Sequence, residues 1–410
     1  MAVFTSSVRL NVTNDTTLLE LTGNPRVTTD TPTLNVTQFN NGSVTIRGSA
    51  LQDLGGVVSE LIVTFAGVGS VSYTGLSVSL LDVATVSTFN PAGLSELLLE
   101  GNDQLTGSGF DDVLNGFTGD DEIFGGNGDD QISGNIGRDD LNGGSGNDDL
   151  FGSTGDDKMS GGSGNDALFG GTENDDMSGG TGNDDLFGGI GDDTLNGGAG
   201  ADLIDGGNGI DIVSYVGSLI RNVIDLQGLQ TSVGDAAGDV LRNIEQVVGG
   251  DRIDLIYGDS AANSLSGGLG NDRLYGRAGD DTLEGSNGID KLYGNAGADI
   301  MTGGEDRDRF IYFKLTDSRA GENTRDTITD FDTSEDRIEL GRIDADTTRG
   351  GNQAFEFIRF TAFSGEAGEL RFSRIDGDTI LMGDTDGDRQ ADFEIELTGL
   401  VNLMADDFIL

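Results

Sequence analysis

From Gly143 to Phe187 the chain reads GGSGNDDLF, GSTGDDKMS, GGSGNDALF, GGTENDDMS, GGTGNDDLF, five consecutive units of nine residues. A fixed short period outranks every other signal in deciding a fold, because stacked copies bury a core that no single copy can bury. Within each unit six residues, G-G-x-G-x-D, read as a loop, and three, x-U-x with U apolar, read as a strand. Glycines admit the positive φ angles of a tight turn, and the lone apolar residue at position 8 points inward from a strand too short to bury more. Two units make one flattened turn, so residues 18 apart stack: Leu150 on Leu168 on Leu186 in one sheet, Leu141 on Met159 on Met177 in the other.

The register extends in both directions. A first array of thirteen repeats covers residues 98–214, its opening unit at 98–106 half-formed, and a second array of seven covers 249–311, degenerate in its first two units and its last. Residues 215–248 lose the register but keep alternating stretches such as Val223-Ile224-Asp225-Leu226, and read as an irregular β insertion. Residues 1–97 are richer in Ser and Thr, with alternating runs at 33–39, 43–47, 61–65 and 76–80; they read as a β-rich lead-in domain, with one short helix at 92–100. Residues 312–410 carry Phe355, Phe357, Phe360, Phe363 and Phe372, enough for an apolar core of their own. The expected fold is all-β: a parallel β-roll, or β-solenoid, in two arrays, with small β-rich N-terminal and C-terminal domains.

Composition narrows the chemistry. The 410 residues include no His, no Cys and no Trp, which removes Ser-His-Asp and Cys-His nucleophiles, histidine-held zinc and disulfides. Any metal must bind through oxygen. Asp and Glu number 72 against 23 Lys and Arg, a formal net charge of −49 that argues against nucleic acid and anionic membrane surfaces as partners and for polyvalent cations. No stretch has the roughly 18 apolar residues of a membrane span. The opening MAVFTSSVRLNVTND has no basic leader followed by an apolar run, so it does not read as a secretory signal peptide.

The 18-residue stacking sets the position-6 aspartates of alternate loops, such as Asp130 and Asp148, at a strand spacing of about 4.8 Å. Two carboxylates at that distance repel by ~3.5 kcal/mol at an effective dielectric of 20, and the repulsion recurs along the row. A hard cation taking six to eight oxygens from carboxylates and carbonyls answers this, which favours calcium over the stricter magnesium. The expected metal ligands are Asp103, Asp112, Asp121, Asp130, Asp139, Asp148, Asp157, Asp166, Asp175, Asp184, Asp193, Asp202 and Asp211 in the first array. Asp254, Asp272, Asp281, Asp290, Asp299 and Asp308 follow in the second. Asn263 replaces the position-6 aspartate, while Phe110, Glu173, Arg252, Ala261 and Asp306 replace the position-4 glycine; the 170–178 loop and both ends of the second array are therefore expected to bind weakly or not at all.

These units resemble the RTX (repeats-in-toxin, hemolysin-type) calcium-binding family, whose nonapeptide forms a parallel β-roll. The resemblance implies ions between loops n and n+2, at most roughly 16 calcium ions, which would bring the charge from −49 to about −17. The C-terminal region resembles that of serralysin-type secreted proteases in DTITDFD at 326–332, DRIEL at 336–340, FSGEAGELRF at 363–372, GDTDGDRQADFEIEL at 383–397 and the closing DDFIL. That resemblance implies bacterial export through a type I secretion ABC transporter reading an uncleaved C-terminal signal. Separately, Asp384, Asp386, Asp388 and Asp392 stand at positions 1, 3, 5 and 9 of a calcium loop, with Arg389 where Gly belongs and Ile395 where the bidentate Glu belongs; a polar surface turn reads at least as well.

Without His there is no H-E-x-x-H, so the serralysin likeness does not extend to protease activity. Residues 1–97 hold no G-x-S-x-G, and the only lysines, Lys158, Lys291 and Lys314, lie outside any upstream segment that a pore-forming toxin would use. No catalytic residues are expected. Two outward rows of aromatics recur every 18 residues: Phe151, Phe169, Phe187, and Tyr257, Tyr275, Tyr293. They reinforce the sheet or serve as lateral contacts between copies. The expectation is a secreted, non-enzymatic calcium-binding protein that folds on external calcium and acts as a cell-surface, matrix or adhesive structural protein, self-assembling like an S-layer, with itself or a cell-surface glycan as partner. The alternative is a soluble effector or ligand-binding protein whose activity lies in residues 1–97.

Overall fold

The computed structural model describes the backbone of strands within 33–94 and then residues 102–107 and 109–410. The chain divides into two compact units, Met1–Asp211 and Ile212–Leu410. The described residues are strands and turns with two short 3-10 turns, Gly234–Ala236 and Ala405–Asp407, and no α-helix.

The first unit opens with an antiparallel meander, Thr33–Phe39, Gly42–Ser49, Val57–Phe65 and Gly69–Ser79, whose last strand pairs with Gln104–Thr106. Gly93–Leu94 forms a two-residue strand with Phe89–Asn90; the remainder of 92–100, where a helix was expected, lies outside the described residues.

From Gln104 the unit is a parallel β-roll. Gln131–Ile136, Asp149–Thr154, Ala167–Thr172 and Asp185–Ile190 stack in one sheet; Glu122–Asn127, Asp140–Ser145, Lys158–Ser163 and Asp176–Thr181 stack in the other. The register steps by 18, with Leu150 beside Leu168 and Leu141 beside Met159. Position 8 is the core: Ile123, Ile132, Leu141, Leu150, Leu168 and Leu186 are fully buried. The strands differ from expectation in length, six residues rather than three. They run through positions 7, 8, 9, 1, 2 and 3, because the loop glycines go on pairing with their neighbours, as Gly144 does with Gly162. The two-residue alternation of a strand then turns position 1 inward after position 8, and a glycine there is buried without a side chain.

In the second unit Ile212–Ser214 pairs with Gln246–Val248, 34 residues on rather than 18. The insertion adds its own strand, Val223–Asp225, beside Leu255–Tyr257, after which the 18-residue register resumes through Leu265, Leu283 and Met301, and through Ile256, Leu274 and Leu292. The parallel pairing continues beyond Ile311. Met301 is followed by Ile328, Phe310 by Ile338, and Ile338 by Phe408, so DTITDFD, DRIEL and the terminal residues lie on the roll. Glu369–Ile375, Asp378–Asp384 and Phe393–Leu397 form an antiparallel sheet joined to Asp326–Ile328. Of the expected core phenylalanines, Phe355 and Phe372 are buried, whereas Phe360 is 53% exposed and leans on Phe372 with ring centroids 4.1 Å apart.

Candidate metal centres

In the first array each position-6 aspartate after Asp103 and Asp112 reaches back one turn. Asp130 Oδ1 accepts the backbone N–H of Asp112 at 2.7 Å, Asp148 that of Asp130 at 2.7 Å, and Asp166 that of Asp148 at 2.8 Å. The opposite edge repeats the pattern from Asp103 through Asp121, Asp139, Asp157, Asp175 and Asp193 to Asp211. Asp202 likewise holds the N–H of Asp184. Beyond the first turn, one oxygen of each of these carboxylates is thus committed to the fold.

The other oxygen is buried without a protein partner. This holds for Oδ2 of Asp121, Asp130, Asp139, Asp148, Asp157, Asp166, Asp175, Asp184 and Asp193, for both oxygens of Asp103, and for Oδ2 of Asp272, Asp281, Asp290, Asp299 and Asp308. Asp112, on the first turn, is half-buried. A buried, unpaired carboxylate oxygen costs several kcal/mol unless charge arrives to meet it. The carboxyls respond in the expected direction: burial, aided by the next aspartate in the row and partly offset by the backbone N–H bond, pushes Asp130 and Asp166 up to about 6 and Asp175 to about 7. Asp272 is pushed to about 8.

The glycine at position 1 shapes the space beside that oxygen. A Cβ on Gly161 would sit 2.5 Å from Asp166 Oδ2 and 2.7 Å from the Gly179 carbonyl oxygen of the next turn; on Gly179 it would sit 2.5 Å from Asp184 Oδ2 and 2.6 Å from the Gly197 carbonyl. A carboxylate and a carbonyl of successive turns therefore face one small cradle, with only oxygen as donor. This donor set suits calcium, which accepts mixed carboxylate and carbonyl oxygens in loose geometry. The position-6 aspartates with loop carbonyls would hold it, and the ion would supply the positive charge that the buried carboxylates lack. Gly161→Ala is expected to weaken calcium binding at that turn and to destabilise the calcium-loaded roll by roughly 1–3 kcal/mol through overpacking. Calorimetric titration with calcium beside thermal melts checks both.

Position 4 needs glycine for its backbone, with φ of 134° at Gly164 and 127° at Gly155. Glu173 occupies that place at φ 75°, and its carboxylate accepts the N–H of Gly155 at 3.0 Å. The 170–178 loop, expected to be a poor site, keeps Asp175 buried in the row with Oδ2 unpartnered. The first turns of the second unit depart further. Both oxygens of Asp254 are taken by backbone, Asn222 N–H on Oδ1 and Gly250 N–H on Oδ2, each at 2.7 Å, and Asn263 Oδ1 accepts Asp259 N–H at 2.7 Å.

Three sets of residues escaped the sequence reading. At position 5, written x, nine of the twelve units from Gly107 to Ser214 carry Asp or Asn. These side chains accept the position-5 N–H of the following turn, as Asn147 does from Asn165 and Asn165 from Asn183, both at 2.8 Å. The skew toward two residue types was the visible signal. Asp326 and Asp336 prolong the carboxylate rows by accepting Asp299 and Asp308 N–H at 3.1 and 2.9 Å, and Asp326 Oδ2 is buried and unpartnered. Asn222 precedes Asp254 in its row, donating its backbone N–H to Asp254 Oδ1 from 32 residues away. The 384–392 segment is a turn closed on itself: Asp384 accepts Gly387 and Arg389 N–H at 2.7 and 2.9 Å, and Asp392 accepts the N–H and hydroxyl of Thr385. Asp384, Asp386 and Asp388 have carboxylate oxygens within 4.8 Å of one another.

Two family models match parts of this chain. Residues 219–410 match the family described as peptidase M10 serralysin C terminal, and four overlapping stretches, 99–132, 115–150, 142–177 and 178–213, match the RTX calcium-binding nonapeptide repeat. No curated protein matches the chain. Among solved structures it is similar to the AlgE6R3 subunit of a mannuronan C5-epimerase from Azotobacter vinelandii, at 28% identity over 39% of this chain and 80% of that one, with a TM-score of 0.21. The AlgE6R2 subunit of the same epimerase gives 27% identity, 38% and 90% coverage and a TM-score of 0.22. The extracellular lipase LipA from Serratia marcescens gives 19% identity, 60% and 40% coverage and a TM-score of 0.19.

Proposed function

We propose that this chain, a secreted calcium-binding protein carrying RTX nonapeptide repeats and a serralysin-type C-terminal secretion domain, leaves the cell unfolded through a type I ABC transporter and folds when external calcium meets its carboxylate rows. Once folded it serves as a non-enzymatic structural protein of the cell surface or matrix, with copies associating laterally. The observation that carries the first part is the repeated buried Oδ2 without a protein partner.

The lateral role is supported by the asymmetry of the first roll. One sheet shows Phe151, Phe169 and Phe187 stacked at 5.0 and 5.1 Å with their planes 5° and 6° apart; the matching row on the other sheet is Asn142, Ser160, Ser178 and Asn196. Rings stacked this way cover one another's faces and present edges outward. A sugar ring that seeks an aromatic face finds little here, whereas a second apolar row can interdigitate with the edges, so association between copies is favoured over glycan capture. Light scattering on the calcium-loaded protein is expected to give a mass above the monomer. Phe169→Ser is expected to restore the monomer while leaving the calcium stoichiometry unchanged. Joint loss of assembly and calcium binding would sink the lateral role, and a wild-type monomer at all concentrations would redirect attention to residues 1–97.

A further inference from the structure

We infer that the opening turns of the second unit form a calcium-independent cap, in which the guanidinium of Arg277 supplies the charge that calcium supplies along the rest of the roll. The inference rests on reading the carboxylate rows as calcium sites. Asp225, on the insertion strand, has a fully buried side chain and receives Arg277 through two bonds, Nη1 to Oδ1 at 2.7 Å and Nη2 to Oδ2 at 2.9 Å. The same Nη1 lies 2.6 Å from the carbonyl oxygen of Gly258, a position-1 glycine. Arg277 therefore joins a carboxylate to a position-1 loop carbonyl, the donor types that face each cradle elsewhere.

The surrounding groups agree. Asp225 is completed by the N–H groups of Gln227 and Gln230, at 2.9 and 2.8 Å. Asp254 has both oxygens on backbone N–H groups; the residue before it in its row, Asn222, carries no charge to repel it, and the one after it, Asp272, accepts its N–H at 2.7 Å. The carboxylates of Asp225 and Asp254 both find partners within the protein, whereas Oδ2 of Asp272, Asp281, Asp290, Asp299 and Asp308 has none. Arg277 also lies over the Tyr257 ring, 5.1 Å from its centroid, at one end of a stack that continues through Tyr275 and Tyr293. Arg277 sits at φ 79° at position 2, where glycine is commonest but Asn135, Ser153 and Ser286 also take positive φ, so the roll accepts a left-handed arginine here.

The test is amide hydrogen exchange, read by mass spectrometry on the full chain in calcium and then in excess chelator. Peptides over 222–226 and 255–258, whose amides include Leu226 N–H on Tyr257 O and Leu255 N–H on Asn222 O, are expected to stay protected in chelator while those over 281–299 lose protection. Simultaneous loss in both regions would overturn the cap. Full protection everywhere in chelator would overturn the calcium reading itself, a distinct failure. Arg277→Met leaves Asp225 buried and unpaired, and is expected to lower cap protection in chelator by about a hundredfold or more, the effect of removing one partner of a buried ion pair. Unchanged cap protection in that variant would also refute the assignment. Should the variant fail to fold even in calcium, the wild-type exchange pattern decides.

Discussion

Withdrawing calcium at neutral pH is expected to abolish most of the parallel β-structure, seen as loss of the far-ultraviolet β-signal in excess chelator and its return on adding calcium but not magnesium. Neighbouring carboxylates about 4.8 Å apart repel by ~3.5 kcal/mol per contact at an effective dielectric of 20. Folded domains are stable by only about 5–15 kcal/mol, so a handful of such contacts outweighs the whole margin. Each row contains more than a handful, and its buried Oδ2 atoms have nothing else to lean on. A β-signal that survives chelation unchanged would show that the rows are held by protonation or by packing alone.

The second large effect is the partial replacement of calcium by protons. In chelator, lowering the pH from 8 to 5 is expected to restore part of the β-signal. Burial raises Asp121, Asp139 and Asp281 from 3.8 to about 6, Asp157, Asp299 and Asp308 to about 7, and Asp272 to about 8. The folded state therefore binds more protons than the unfolded one. The stability these groups contribute is full below their unfolded value and is lost as pH rises through about 6 to 8. The scan stops short of the isoelectric point, near 4.1, where a neutral chain precipitates. With calcium present the same linkage runs the other way, and more calcium is needed at pH 5.5 than at pH 7.5 to reach the folding midpoint. Asp225 has the opposite sign: burial alone would raise it, but Arg277 and two backbone N–H groups hold it below its usual value, so its contribution is lost only as pH falls through that lowered value. A metal-free β-signal that declines steadily from pH 8 to 5 would contradict the buried-carboxylate account.

The parts of the fold legible in the sequence were those set by the repeat. Leu150, Leu168 and Leu186 stack as the 18-residue spacing implies, and so do Phe151, Phe169 and Phe187, because a translational repeat turns sequence distance into spatial neighbourhood. The position-6 aspartates were legible for the same reason, since their burial follows from position in the unit. Where spacing changed, reading failed. Asp326 and Asp336 follow their partners by 27 and 28 residues, across irregular segments without the glycine frame, so nothing in the string marks them as rungs of the same rows. Arg252 in place of the position-4 glycine marked the Asp254 loop as a weak site, but only the fold brings the Asn222 and Gly250 N–H groups that fill it. Position 5 was hidden because its side chain bonds to a backbone amide rather than to another conspicuous residue.

The alternation of consecutive units between two sheets gives the first roll a parity. Removing 18 residues deletes one whole turn and leaves each surviving strand on its own side. Removing nine transfers every later strand of the roll to the opposite side, so that Phe187 would join the row of Asn142 and Ser160 and the aromatic column would be cut. For a gene built of near-identical short tandem copies, which gain and lose units by slippage, even changes alter only length while odd ones scramble the two surfaces. The insertion in the second unit obeys the same constraint: Gln246–Val248 pairs with Ile212–Ser214 despite the added residues, so the detour returns to the side it left. Length can drift in such a protein, but only in even steps.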